Sequence, residues 1–122
     1  MPEEQEMYQM VFQGCSPVEF MNLLRIGQWR EAGAESILLN EGQKVKEILF
    51  LYNGLAGVTH GGKILNYLKD GAIIGETEYT QDKPAGATIK ITTPIRLMVW
   101  PTAEIKKLSN REPEYTRVIF SS

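Results

Sequence analysis

The residues with the plainest chemical purpose lie between Gly71 and Ile91. Ala72-Ile73-Ile74 reads as a short apolar strand, Gly75-Glu76 as a turn, and the residues after Glu78 as a small loop. Pro84-Ala85-Gly86-Ala87 then leads back into the β-branched strand Thr88-Ile89-Lys90-Ile91. Free amides at such a turn supply donors, and small side chains let a ligand approach the backbone closely. The pattern suits a cradle for an anion. Its plain structural counterpart is a turn needing positive φ, with Glu76 as a local hydrogen-bond acceptor.

Other chemistries find little support. His60, the only histidine, sits beside Gly61-Gly62 and reads as a surface turn residue. Cys15, the only cysteine, reads as a small apolar side chain. One His and one Cys do not make a zinc site or a spaced nucleophile pair. Glu76 and Glu78 would share a face on a strand, but nothing else marks a glycosidase dyad. There is no phosphate-binding Gly-Lys-Ser/Thr loop and no dinucleotide fingerprint. Lys106, Lys107, Arg111 and Arg117 alternate with acidic residues and read as solvated helix faces.

The elements that must position the cradle are short. The chain has 122 residues, enough for one domain with one real core. Its formal charge of −2 argues against a nucleic-acid surface. A lone cysteine fits a reducing compartment. An acidic start and no long apolar run fit a chain without leader or membrane span, placed in the cytoplasm.

Met7, Met10 and Val11 predict a helix over 3–12. Ser16-Pro17-Val18-Glu19 is a capping box that starts a second helix ending at Gly27. Strands are expected over 35–39, 48–52, 55–59, 64–68, 88–92 and 95–100. The turns between them fall at Asn40–Gln43, Asn53-Gly54, His60–Lys63, Lys69–Gly71 and Thr93-Pro94. Thr102 is expected to cap a helix over 103–108, and Glu112-Pro113-Glu114 to start a last one reaching Ile119. Short strands with turns every 8–12 residues indicate a sandwich or barrel. The organisation is thus a single domain over 1–122: a helical segment over 1–30, a β-roll over 31–101, and C-terminal helices over 102–122.

Leu39-x-Glu41-Gly42, Asn53-Gly54, Gly71-x-x-x-Gly75-Glu76, Ala87-Thr88-Ile89 and Thr93-Pro94 now stand in one order and spacing. In that order the chain resembles the cyclic nucleotide-binding domain family, which includes the catabolite activator protein and the regulatory subunits of protein kinase A. The resemblance spans roughly residues 16 to 120. It implies a mainly β fold with flanking α: a double-stranded β-helix, or jelly-roll, barrel of eight strands, with helices at its N- and C-terminal ends. It also implies a phosphate cassette made of Gly-Glu, a short helix and an Arg-Ala pair. In the family the Glu holds a ribose hydroxyl and the Arg forks onto the cyclic phosphate.

Carried over, Gly75, Glu76, Thr77, Glu78, Ala85, Gly86, Ala87 and Thr88 become the ligand-binding candidates. The amides of Thr77, Glu78 and Gly86 would face the phosphate. The departure is Ala85, which occupies the arginine's slot. Lys83 and Arg96 are the nearest substitutes by sequence. A charge-assisted pair contributes about 1.5–3 kcal/mol, and its truncation costs roughly 2–5. Affinity for cyclic AMP or cyclic GMP should then fall about 30- to 3,000-fold. The chain also resembles the Popeye domain, a divergent branch lacking the same arginine, in its Trp100-Pro101 pair. That branch's Asp-Ser-Pro-Glu motif is absent.

Two readings arise from the resemblance. One is a non-enzymatic regulatory module that senses a cyclic nucleotide or another small anion, with residues 112–120 moving as a lid. The other is a structural or protein-interaction module, with a protein partner or a second copy, that kept the barrel and lost the ligand. Tyr79 or Lys83 plugging the space between Glu76 and Ala85 would favour the second.

Overall fold

The computed structural model describes residues 2–111. The helix expected to end at Ile119, and with it the expected lid, lies outside the described residues.

Helix α1 (Pro2–Val11) and helix α2 (Pro17–Ile26) form where the apolar spacing places them. The capping box closes as expected: the Glu19 amide donates to Ser16 Oγ at 3.2 Å, and the Ser16 amide to Glu19 Oε1 at 2.7 Å. Gly27 ends α2 in an extended conformation. A Cβ there would lie 2.6 Å from Met98 Sδ and 2.7 Å from Trp100 Nε1, so close passage is what requires glycine.

Among the described residues six strands succeed these helices: β1 (Gln28–Ala32), β2 (Ile37–Leu39), β3 (Glu47–His60), β4 (Lys63–Leu68), β5 (Ile73–Ile74) and β6 (Thr88–Pro101). All pairings are antiparallel. β3 and β6 lie side by side along their whole lengths, and each serves two leaves. The first half of β3 pairs β5 while the second half of β6 pairs β1. The second half of β3 pairs β4 while the first half of β6 pairs β2. Counted by halves, the two long strands and four short ones furnish the eight segments of a jelly-roll.

This arrangement corrects two expected turns. Asn53-Gly54 does not end a strand; it is a bulge at which the β3–β6 register shifts. Gly54 has φ +113 there, and a Cβ would lie 2.3 Å from Ile95 Cγ2. Thr93-Pro94 likewise lies within β6, at the facing irregularity, where an exposed proline interrupts no ladder pair. β1 is not foreseen from the sequence because its residues, Gln-Trp-Arg-Glu-Ala, are mostly polar, as a strand at the end of a leaf can be. Glu35, expected in a strand, instead turns with φ 75 before β2.

The apolar run of β3 splits its side chains between two cores. Ile48 and Phe50, with Met98 and Trp100 of β6, face the helices and pack with Met7, Phe12, Phe20 and Leu23. Leu49 and Leu51, with Leu97 and Val99, face the interior of the roll together with Ile89 and Ile91. A strand covered on both faces reads as a continuous apolar run, as Ile48–Leu51 does. Cys15 is buried beside Phe12, donating Sγ–H to its carbonyl at 2.9 Å. Trp100 Nε1 donates to the Leu23 carbonyl at 3.0 Å and fixes α2 on β6.

Helix α3 (Glu76–Gln81) lies between β5 and β6, and helix α4 (Thr102–Arg111) closes the described chain. Thr102, expected as the cap of α4, is a tether instead: its amide and hydroxyl both donate to the Lys46 carbonyl, at 2.9 and 3.2 Å. No helix of the described residues is long and apolar enough to cross a membrane.

Candidate functional site

The cradle begins with Gly75, whose φ of +93 turns the chain out of β5. A Cβ at this position would lie 3.0 Å from the Glu47 carbonyl and 3.1 Å from Val45 Cγ1. The next residues form helix α3 rather than the small loop read from their types, and α3 is the short helix that the resemblance implies. The Tyr79 amide donates to the Gly75 carbonyl at 3.0 Å, and the Thr80 hydroxyl to the Glu76 carbonyl at 2.9 Å. Tyr79 packs against the helix-side core, which holds α3 on the roll.

A cavity of about 290 Å³ opens under α3. Gly75, Glu76, Thr77 and Glu78 line it, as do Ala87 and Ile89 where the chain re-enters β6. Its apolar lining comes from Leu39, Val58, Leu68 and Ile74, with Ile73 beside them. Asn66 of β4 adds a polar group. Neither Tyr79 nor Lys83 lines it; Lys83 is exposed.

Of the expected site residues, Gly75, Glu76, Thr77, Glu78 and Ala87 meet at this cavity. Ala85, Gly86 and Thr88 stand beside it and bind neighbouring loops. Gly42 donates to the Ala85 carbonyl at 2.8 Å, and Ala85 donates to the Gln43 carbonyl at 2.9 Å. The Glu41 amide donates to Thr88 Oγ1 at 3.1 Å. His60 Nδ1 lies 3.1 Å from the Gly86 carbonyl and 3.2 Å from Glu41 Oε2. By sequence His60 is a turn residue. It is the last residue of β3, at the tip of the β3–β4 hairpin, and it also meets the segment between α3 and β6. Asn66 and Leu68 are lining residues that the sequence did not mark. Period-two alternation along β4 puts both on one face, and that signal becomes usable once the hairpin is placed.

The electrostatics of the cavity are one-sided. Among the described residues, no lysine or arginine lines it. Burial pushes the Glu76 carboxyl above its ordinary value of 4.5, and the charge of Glu78 adds to the rise. Hydrogen bonds from its own amide and from Thr77 oppose the shift. Arg96, a candidate substitute by sequence, lies elsewhere: its guanidinium grips Glu3 at 2.5 and 3.0 Å, meets Glu31 at 3.4 Å, and stacks over Trp29 at 4.6 Å. No group of three or more His, Cys, Asp or Glu among the described residues is placed to hold a metal.

Known proteins share this fold. The profile of the cyclic nucleotide-binding domain matches residues 29–112. A cyclic nucleotide-binding domain from Methylobacillus flagellatus superposes with a TM-score of 0.83 at 21% identity, over 95% of this chain and 71% of that one. The regulatory domain of Toxoplasma gondii PKA, crystallised with cAMP, superposes with a TM-score of 0.76 at 16% identity, over 85% of this chain and 42% of that one. At such identities the likeness is one of fold. The chain spans less than half of the Toxoplasma protein.

Proposed function

Because this chain belongs to the cyclic nucleotide-binding domain family, we propose that it is a regulatory, small-molecule-sensing module whose ligand enters the cavity beneath α3. The observation that carries this reading is the cavity itself, open between Gly75–Glu78 and Ala87–Ile89 and not filled by Tyr79 or Lys83. Its volume of about 290 Å³ lies at the lower edge of the usual ligand range of about 300–1,000 Å³. In this reading Glu76 accepts hydrogen bonds from the ligand, and the amides of Thr77, Glu78 and Gly86 complete the cradle. Its phosphate cassette is degenerate: Gly75 and Glu76 remain, but Ala85 offers no guanidinium. Cyclic AMP and cyclic GMP therefore bind weakly, in the millimolar range. The role is regulatory rather than enzymatic, and the setting is the cytoplasm.

Thermal melting with each nucleotide tests this. A ligand at its dissociation constant adds about 0.4 kcal/mol of stability, and at ~10 times that concentration about 1.4 kcal/mol. A shift confined to millimolar nucleotide is the expected result; no shift there rejects sensing of these two ligands.

A second reading, an interaction module for a protein partner or a second copy, rests on β4. This strand is exposed along most of its length, and Ile64, Leu65 and Tyr67 are 59%, 63% and 51% exposed. An unpaired apolar edge can accept another strand.

A further inference from the structure

We infer that β4 is a self-association edge: it pairs antiparallel with β4 of a second copy of this chain, Ile64 of each strand facing Tyr67 of the other. This rests on the interaction reading above and names its partner.

The first ground is the open edge. Among the described residues β4 pairs with β3 on one side and ends the order β1-β6-β3-β4 on the other. Protein edges are commonly blunted by charge. Here Lys63 is the only charged residue of the strand, while Ile64, Leu65 and Tyr67 stand exposed along it.

The second ground is how β4 divides its side chains. Tyr67 is opposite Gly57 and Ile64 opposite Thr59. Gly57 and Thr59 are two apart on β3, so Ile64 and Tyr67 share one face. A Cβ on Gly57 would lie 3.6 Å from Tyr67 Cε1, so the ring lies over the glycine there. Asn66 and Leu68, opposite Val58 and Ala56, take the other face and line the cavity beneath α3. Lys63, opposite His60, shares that inner face. The register shift between Val58 and Thr59 leaves Leu65 as the extra residue of a bulge.

The third ground is that β4 is complementary to itself. Paired antiparallel over its full length, Lys63 falls opposite Leu68, Ile64 opposite Tyr67 and Leu65 opposite Asn66. Outer residues then meet outer ones, and inner residues meet inner ones. Two residues separate Ile64 from Tyr67 on each strand, so the bulge of one edge is matched by that of the other. A slip of one residue would set outer side chains against inner ones. No like charges come opposite, whereas an in-register parallel pair would set Lys63 against Lys63. An aromatic side chain and a β-branched one meet twice across the seam. This fit of β4 to its own sequence selects a second copy over a strand of another protein. A ladder of six residues is about 20 Å long. That is short for the ~1,200–2,000 Å² of a stable interface, so the pair forms at high concentration and parts on dilution.

The test uses the whole chain, followed by sedimentation and backbone amide shifts from low micromolar to millimolar concentration. Mass is expected to rise from one chain toward two as the amides of β4 move. Ile64→Glu and Tyr67→Lys each set a charge against an apolar side chain twice, and each should weaken association about tenfold or more. Both side chains are exposed, so neither substitution opens a core. Mixed together, the two variants should associate more tightly than either does alone, since a Glu–Lys pair and an Ile–Tyr pair then form across the seam. Association that survives both substitutions, or no rescue on mixing, would overturn the inference. A peptide of residues 62–70 is the second probe. If the whole chain stays monomeric at millimolar concentration while the peptide moves the β4 amides, the second copy is overturned and the interaction reading stands. If neither moves them, the interaction reading fails together with the inference.

Discussion

Nδ1 of His60, at the tip of the β3–β4 hairpin, lies 3.1 Å from the carbonyl oxygen of Gly86. The same nitrogen lies 3.2 Å from Glu41 Oε2, so one ring joins the hairpin, the β2–β3 loop and the cassette exit. The ring is well exposed, and such pairs contribute about 0.2–1 kcal/mol. The expected consequence is local. His60→Ala should speed amide exchange at Gly42 and Ala85 with a small change in melting temperature. His60→Asn, which can still offer a donor to Gly86, should restore most of the protection. Unchanged exchange in His60→Ala would show that the ring does not brace this segment.

Gly75 should resist any substitution. Its φ of +93 is costly for an L side chain, by about 1–3 kcal/mol. The Glu47 carbonyl, 3.0 Å from the position of a Cβ, adds a close contact. Gly75→Ala is expected to lower the melting temperature by roughly 4–12 °C. Calorimetry checks it; a change under a degree would mean that α3 can start without the left-handed turn.

Glu76 gives stability a pH dependence of defined sign. Its carboxyl is raised above the ordinary 4.5, chiefly by burial, so the folded state holds this proton more tightly than the unfolded chain does. The contribution is fully present below 4.5 and is lost as pH rises through the raised folded value. Glu76→Gln removes the penalty of the buried charge. The variant should therefore be more stable than the parent at neutral pH, with the difference shrinking as pH falls toward 4.5. Urea melts across that window test it; a difference that grows toward acid would reverse the sign.

Arg96 should anchor α1. It grips Glu3 with two nitrogens and lies over Trp29, while Tyr52 donates to Glu6 at 2.9 Å beside it. The Arg96 and Glu3 side chains are only 26% and 28% exposed, so the pair is worth more than a free surface bridge. A double-mutant cycle with Arg96→Ala and Glu3→Ala should show that coupling. Additive losses would mean that the two act independently.

Ala85→Arg tests the proposed cassette. Placing a guanidinium at this position is expected to raise affinity for cyclic AMP at least about tenfold. Calorimetric titration reads it. No gain would mean that the buried site, tied to Gly42 and Gln43, cannot turn a long side chain into the cavity.

Much of the architecture was legible because local rules decide it. The capping box at Ser16, the hairpin at Gly61-Gly62 and the two-faced burial of Ile48–Leu51 each arise from a few neighbouring residues. β1 was not legible, since a polar strand at the end of a leaf has no apolar alternation to announce it. Asn53-Gly54 and Thr93-Pro94 carry the composition of turns. Only the facing of β3 and β6 makes them bulges within continuous strands.

The sequence by itself determined that glycine and glutamate follow the apolar Ile73-Ile74 pair and that alanine stands at position 85, because identity and spacing are properties of the chain. Only the tertiary structure decided which charges surround the cavity beneath α3. Glu78 and Asn66 reach the cavity from different elements, while Arg96 is drawn to Glu3 on the far helix. Such pairings depend on which surfaces fold together, and no local rule along the chain encodes them.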